Sequence, residues 1–112
     1  MNGIDWIREF TGSVTICDLD GVVLDMNDAS AKTFQKYGGK DLIGKNLLDC
    51  HPESARNKLV QLLETGGSNV YTIEKNGIRK LIYQAPWYRD GERRGMVELS
   101  FEIPAALPHF QR

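Results

Sequence analysis

Residues 69–103, NVYTIEKNGIRKLIYQAPWYRDGERRGMVELSFEI, decide the fold. Two dipeptides break this run, Asn76-Gly77 and Asp90-Gly91, and both carry the chemistry of two-residue hairpin turns, whose central residues need positive φ. Around them apolar and polar residues alternate with a period of two. Tyr71 and Ile73 share a face of the first segment, Leu81, Tyr83, Ala85 and Trp87 a face of the second, and Val97, Leu99, Phe101 and Ile103 a face of the third. Three antiparallel strands are therefore predicted. Pro86 has no N–H for a ladder, so its strand is expected to be at an edge or bulged there. Pro104 ends the last strand, and residues 105–112 are expected to form a loose tail.

Upstream, Ala55, Leu59, Leu62 and Leu63 stand at i, i+4, i+7 and i+8, the pattern of an amphipathic helix. Pro52 suits its first turn, Glu53 favours the positive end of its dipole, and Gly66-Gly67 closes it. KDLIGKNLLD (40–49), interrupted by Gly44, reads as a broken helical connector. Before it, Asn27 or Asp28 can cap a short helix that carries Phe34 and Tyr37 and stops at Gly38-Gly39. Residues 13–27 return to period two, with Val14 and Ile16, then Val22, Leu24 and Met26, on either side of Asp20-Gly21, which reads as another hairpin. At the start, Ile4, Ile7 and Phe10 recur every three residues beside Trp6. This predicts an N-terminal amphipathic helix over residues 1–12.

The 112 residues suit a single core, and 41% hydrophobic with 26% charged residues is ordinary for a globular domain. Fourteen basic and fifteen acidic residues give a net charge of -1, without a basic stripe for nucleic acid. No apolar segment approaches the roughly 20 residues of a membrane span, and the start lacks the features of an export signal. Cys17 and Cys50 are too few for a disulfide scaffold, so a cytoplasmic setting is expected. The positions of the two cysteines with His51 and His109 lack the paired spacing of a zinc site, and no metal is expected.

The order of helix, two strands, short helices and three strands makes an α+β layout: a five-stranded antiparallel sheet with helices on one face. This order resembles that of a PAS domain. Asp18-Leu19-Asp20-Gly21 with Asn27 is similar to the family's first hairpin and helix cap, Asp41-Leu42-Ile43-Gly44-Lys45 to its connector, and WYRDGERRGMVELSFEI (87–103) to its last hairpin. The resemblance covers about residues 13–104 and is greatest to PAS domains of bacterial and archaeal regulatory proteins of unassigned ligand. It implies a sensor module that binds a small molecule or cofactor in an internal pocket, without catalytic apparatus.

VTICDLDGVVLD (14–25) also resembles the nucleophile loop of haloacid-dehalogenase-type phosphatases, in which Asp18 would attack phosphorus and Asp20 would shuttle the proton. That chemistry requires a parallel sheet and a later pair of metal-binding acids, whereas two-residue turns join only antiparallel strands. The alternative reading of Asp18 and Asp20 is turn chemistry around Gly21.

The resemblance places candidate ligand contacts at Phe34, Cys50, His51, Tyr71, Tyr83, Trp87 and Leu99, with the inner face of the sheet as one wall. His51 stands near the axial histidine of haem-binding relatives, although a His before a helical Pro more often serves as a cap. Gly44-Lys45-Asn46-Leu47 is similar to the G-x-N-C sequence of flavin photoreceptors, but Leu47 replaces the reactive cysteine. Cys50 beside His51 is read as a small packed hydrophobe rather than an activated thiol. Ile4, Trp6, Ile7 and Phe10 are expected either to pack on the sheet or to form a homodimer seam, with the dimer preferred. The effector is expected in a partner or in a region outside these 112 residues, and the alternative function is a ligand-free interaction domain.

Overall fold

The computed structural model describes residues 3–112. Strands β1 (Ser13–Asp18) and β2 (Val23–Met26) form the first hairpin. Helix α1 (Asp28–Thr33) follows, then single 3-10 turns at Gln35–Tyr37, Gly39–Leu42 and Leu47–Cys50, and helix α2 (Glu53–Thr65). Strands β3 (Asn69–Lys75), β4 (Ile78–Arg89) and β5 (Glu92–Ile103) complete the chain's regular structure. The sheet order is β2-β1-β5-β4-β3, and every pairing is antiparallel. The opposed directions of the three late strands agree with their short turns and provide no parallel sheet for the phosphatase reading.

The two late hairpins turn where the dipeptides predict. Asn76 and Gly77 have φ of 53° and 76°, and Asp90 and Gly91 have 53° and 79°. Pro86 pairs with Met96 beyond the last residue that β3 pairs, so its missing N–H interrupts no ladder on that flank. A register shift follows at Trp87/Tyr88. The edge of β2 is covered by the connector: Val23 N–H donates to Lys45 O, Gly44 N–H to Val23 O, and Leu47 N–H to Gly21 O, at 2.8–2.9 Å.

The core lies between the helices and one face of the sheet. Cys17, Val23, Met26 and Met96 meet Leu42, Leu47, Leu59, Leu62 and Leu63, with Phe34 and Leu48 packed against them. Helix α2 ends where Arg93 of β5 donates to the carbonyls of Leu63 and Glu64, placing a cation at the negative end of the helix.

One prediction is corrected. The expected N-terminal amphipathic helix is absent from residues 3–12, which are irregular apart from a turn and bends; Met1 and Asn2 lie outside the described residues. An α-helix needs its carbonyls to accept from N–H groups four residues on. Here the carbonyls of Ile7 and Gly12 accept from the Asn27 side chain at 3.0 and 2.8 Å, and that of Arg8 accepts from Asp28 N–H at 3.0 Å. Those bonds tie the segment to the start of α1 and leave its i+4 ladder unmade.

Candidate functional site

Strand alternation identifies the side chains that face the helices. Cys17 pairs with Met96, and both belong to the core, so their i±2 neighbours share that inner face. One rung along, Thr15 pairs with Glu98, Glu98 with Gln84, and Gln84 with Asn69. A polar row therefore crosses four strands on the inner face.

Three of its four members are bonded in series. Asn69 Nδ2 donates to Gln84 Oε1 at 3.0 Å, and Gln84 Nε2 donates to Glu98 Oε1 at 2.7 Å. On β1 the hydroxyls of Thr15 and Ser30 of α1 are 2.5 Å apart. Thr15, Ser30 and Gln84 are buried, Glu98 is half-buried, and buried polar groups at such positions must be paired. One further rung along, Ser13 pairs with Ser100 and helps to line an open cleft of about 630 Å³. Lys80 and Glu102 from the sheet and Lys32 and Thr33 from α1 flank it. The cleft and the polar row thus occupy adjacent rungs of one face.

The structure separates the predicted ligand residues. Tyr71 pairs with Ile82 on the inner face and remains partly exposed. Burial, and after it the nearby charge of Glu98, raises the pKa of its phenol. Phe34 is half-buried against the core. His51 ends the third 3-10 turn, where Nδ1 is 2.8 Å from the Leu47 carbonyl. A carbonyl only accepts, so Nδ1 carries the proton and the ring acts as a local cap. His51 is not among the residues lining the cleft. The Cys50 side chain lies outside the described residues.

Tyr83, Trp87 and Leu99 have the opposite parity to Gln84 and Glu98 and stand on the outer face, where Tyr83 pairs with Leu99. Their expected place in the inner pocket is corrected accordingly: period two groups them on one face but does not identify the face that the helices cover. Trp87 Nε1–H donates to the carbonyl of Cys17 at 2.9 Å. On the same side Phe10 meets Phe101 edge-on, with ring centroids 5.9 Å apart, and Trp6 meets Phe10 at 5.7 Å. Ile7 is half-buried, whereas Ile4 and Trp6 are 69% and 60% exposed. The four predicted seam residues therefore divide between self-packing and exposure.

Sequence reasoning missed Asn69, Gln84, Glu98 and Thr15 because polar residues between apolar ones read as a solvent face. A signal was available in Ile82 and Met96, apolar residues of the same parity. Among the described residues no group of three or more His, Cys, Asp or Glu side chains is placed to hold a metal ion. The Asp18 carboxylate accepts the N–H groups of Asp20 and Val22 at 2.9 Å, as the turn reading expects. No described helix is long and apolar enough to cross a membrane.

Residues 9–68 match the family model described as the PAS fold. No curated protein matches the sequence. The PAS domain of Bordetella pertussis BvgS is similar at TM-score 0.66 and 17% identity, over 88% of this chain and 81% of that one. The Aer2 receptor of Vibrio cholerae, described as a dual PAS-heme oxygen sensor, is similar at TM-score 0.62 and 16% identity, over 84% and 96%. The Vibrio cholerae VqmA dimer, described among LuxR-type receptors that bind DNA, is similar at TM-score 0.67 and 18% identity, over 90% of this chain; the chain spans 50% of that VqmA chain. At these identities the structural likenesses establish the fold.

Proposed function

The chain belongs to the PAS-fold family, typical of sensory and regulatory proteins, and on that premise we propose that it is a sensor module that binds a small molecule on the inner face of its sheet. The observation carrying this reading is the bonded row Asn69–Gln84–Glu98 beside an open cleft of about 630 Å³. That volume lies within the usual range for small-molecule sites, and a few convergent polar groups are what orient such ligands. Occupancy would signal by favouring one of two states of the sheet or its contacts. The proposal covers residues 13–104 as the sensor unit, a cytoplasmic setting, an effector outside this chain and no catalytic step. It includes neither haem nor flavin: His51 serves as a cap on the Leu47 carbonyl and does not line the cleft, and Leu47 occupies the place of a photoactive cysteine.

Native mass spectrometry of gently purified protein tests the reading. A retained small molecule, released on denaturation, is expected. Bare protein that also gains no thermal stability from any member of a metabolite library overturns it.

The second reading is a ligand-free dimerisation domain, favoured by the exposure of Ile4 and Trp6 beside the Phe10–Phe101 contact on the outer face. A homodimer is compatible with both readings. Light scattering on a chain shortened to begin at Thr11 tests the seam itself: loss of the dimer supports the outer-face seam, and an unchanged mass refutes it.

A further inference from the structure

The cleft lies where one ladder stops and its neighbour continues. Strand β1 begins at Ser13, opposite Ser100, but β5 runs on to Ile103 and stays paired on its other flank with β4 as far as Arg79. Past Ser100 the near flank of β5 therefore has no strand partner, and α1 covers the gap only in part, through Ala29, Lys32 and Thr33. The open cleft of about 630 Å³ is this gap. Ser13 and Ser100 form the last rung, on the inner side, and both line it. Ser13 is only 6% exposed, and its hydroxyl has no hydrogen bond to another described residue. Because no buried side-chain oxygen is left unpaired among the described residues, that hydroxyl opens into the cleft.

Resting on the reading of the inner face as a ligand site, we propose that this cleft selects small carboxylates, held by Lys32 and Lys80 with the hydroxyls of Ser13 and Ser100. A hydroxyl can donate or accept, so the serines alone leave the sign of the ligand open. The lysines decide it. An ammonium only donates, a carboxylate only accepts, and charge-assisted hydrogen bonds of this kind are the stronger class. Among the described residues the four ion pairs, Arg8–Asp5, Lys40–Asp28, Arg79–Glu74 and Arg94–Glu92, involve neither Lys32 nor Lys80. Ala29 lends the cleft an apolar contact for the body of the ligand.

One opposing charge lines the cleft. Glu102 stands directly opposite Lys80 in the β4–β5 ladder, so these two charges offset each other in part, and Lys32 on α1 leaves the lining positive overall. The carboxylate of Glu98, one rung further in, does not line the cleft. Lys32 is exposed and Lys80 half-buried, so the attraction is of the kind that salt screens. The buried hydroxyl of Ser13 adds a neutral contact that salt does not weaken.

The test compares benzoate with its size-matched neutral and cationic counterparts, benzamide and benzamidine, on the full chain by amide NMR and calorimetry. Benzoate is expected to shift the amides of Ser13, Lys32 and Ser100 and to bind at least about tenfold more tightly than benzamide, the scale of one charge-assisted hydrogen bond. That margin should shrink as salt rises. Lys32→Gln combined with Lys80→Gln should remove it, whereas Lys58→Gln, at an exposed position of α2 outside the cleft, should keep it. If the double variant melts early, Glu102→Gln supplies the comparison and should tighten benzoate binding about two- to threefold. Equal or tighter binding of benzamide or benzamidine, an unchanged margin in the folded double variant, or no tightening in Glu102→Gln overturns the ligand class while leaving the pocket in place. A molecule retained in native mass spectrometry decides it too: one bearing a carboxylate supports the class, and one without overturns it. Failure of all three probes to bind, together with bare protein in native mass spectrometry, overturns both the class and the pocket reading.

Discussion

The side-chain oxygen of Asn27 accepts the backbone N–H of Val14 at 2.9 Å, and the same oxygen accepts Ser30 N–H at 2.9 Å to cap α1. The amide nitrogen of Asn27 donates to the carbonyls of Ile7 and Gly12. With 2% exposure, this one residue fixes the start of β1, the start of α1 and the course of the N-terminal segment. Asn27→Ala leaves several buried backbone groups unpaired, at about 1–3 kcal/mol each, so a loss of about 3 kcal/mol is expected in urea unfolding. Asn27→Asp keeps the cap but turns a carboxylate towards carbonyls, and should release residues 3–12 to limited proteolysis. A fully protected segment in Asn27→Asp contradicts the assignment.

The Cys17 thiol, buried in the core at 1% exposure, has its pKa pushed up to about 11, first by desolvation. Below about pH 9, the ordinary thiol value, both folded and unfolded states hold the proton and this contribution to stability is complete. Between about 9 and 11 the unfolded chain releases its proton first, so stability falls as pH rises. About 2 kcal/mol should be lost across that window, since a tenfold difference in proton affinity between the two states is worth about 1.4 kcal/mol. The raised phenol of Tyr71 adds to the loss in the same direction. Urea midpoints measured from about pH 8 to about pH 10.5 should decline in the wild type and decline less in Cys17→Ala; identical slopes contradict a role for this thiol.

A Cβ added to Gly95 would overlap the carbonyl oxygen of Cys17 and lie 2.8 Å from the Cα of Asp18. Both obstacles are backbone atoms of the paired strand, so neither can yield without separating β1 from β5. Gly95→Ala is expected to cost about 3 kcal/mol, the upper part of the range for overpacking. The same carbonyl accepts the Trp87 indole N–H, and Trp87→Phe, which keeps an aromatic ring but loses the N–H and the rest of the indole's five-membered ring, should cost about 1–2 kcal/mol. Denaturant unfolding that ranks Trp87→Phe as the more damaging change is inconsistent with this geometry.

Asp18 serves the first turn, and Asp18→Asn keeps an oxygen able to accept from Asp20 and Val22 N–H. A stability change under about 1 kcal/mol is expected, against about 2 kcal/mol for Asp18→Ala, which loses both bonds. With magnesium and a generic phenyl phosphate, no turnover is expected from either the wild type or Asp18→Asn. Activity that disappears in Asp18→Asn restores the phosphatase reading.

Much of the fold is legible in the sequence because its signals are local. Asn76-Gly77 and Asp90-Gly91 set their turns through their own φ preferences, Leu59, Leu62 and Leu63 form a stripe on a single helix, and Asn27 caps the helix that follows it. The N-terminal segment misleads because the pattern of Ile4, Ile7 and Phe10 contains no information about Asn27, twenty residues from Ile7, which takes that carbonyl. The candidate site is only partly legible. Tyr71 and Phe34 lie on the helix side, whereas Tyr83, Trp87 and Leu99 share a face, as alternation predicts, that proves to be the outer one.

The sequence by itself determined the order of strands and helices and the antiparallel sense of the late hairpins, because a two-residue turn joins strands only in opposite directions. Only the tertiary structure decided which face of the sheet the helices cover, and therefore that Glu98 and Gln84, rather than Leu99 and Tyr83, face the cleft side. Alternation divides a strand into two sides without distinguishing them. The distinction comes from where Leu59, Leu62 and Leu63 of α2 land on Met96, more than thirty residues away in the chain.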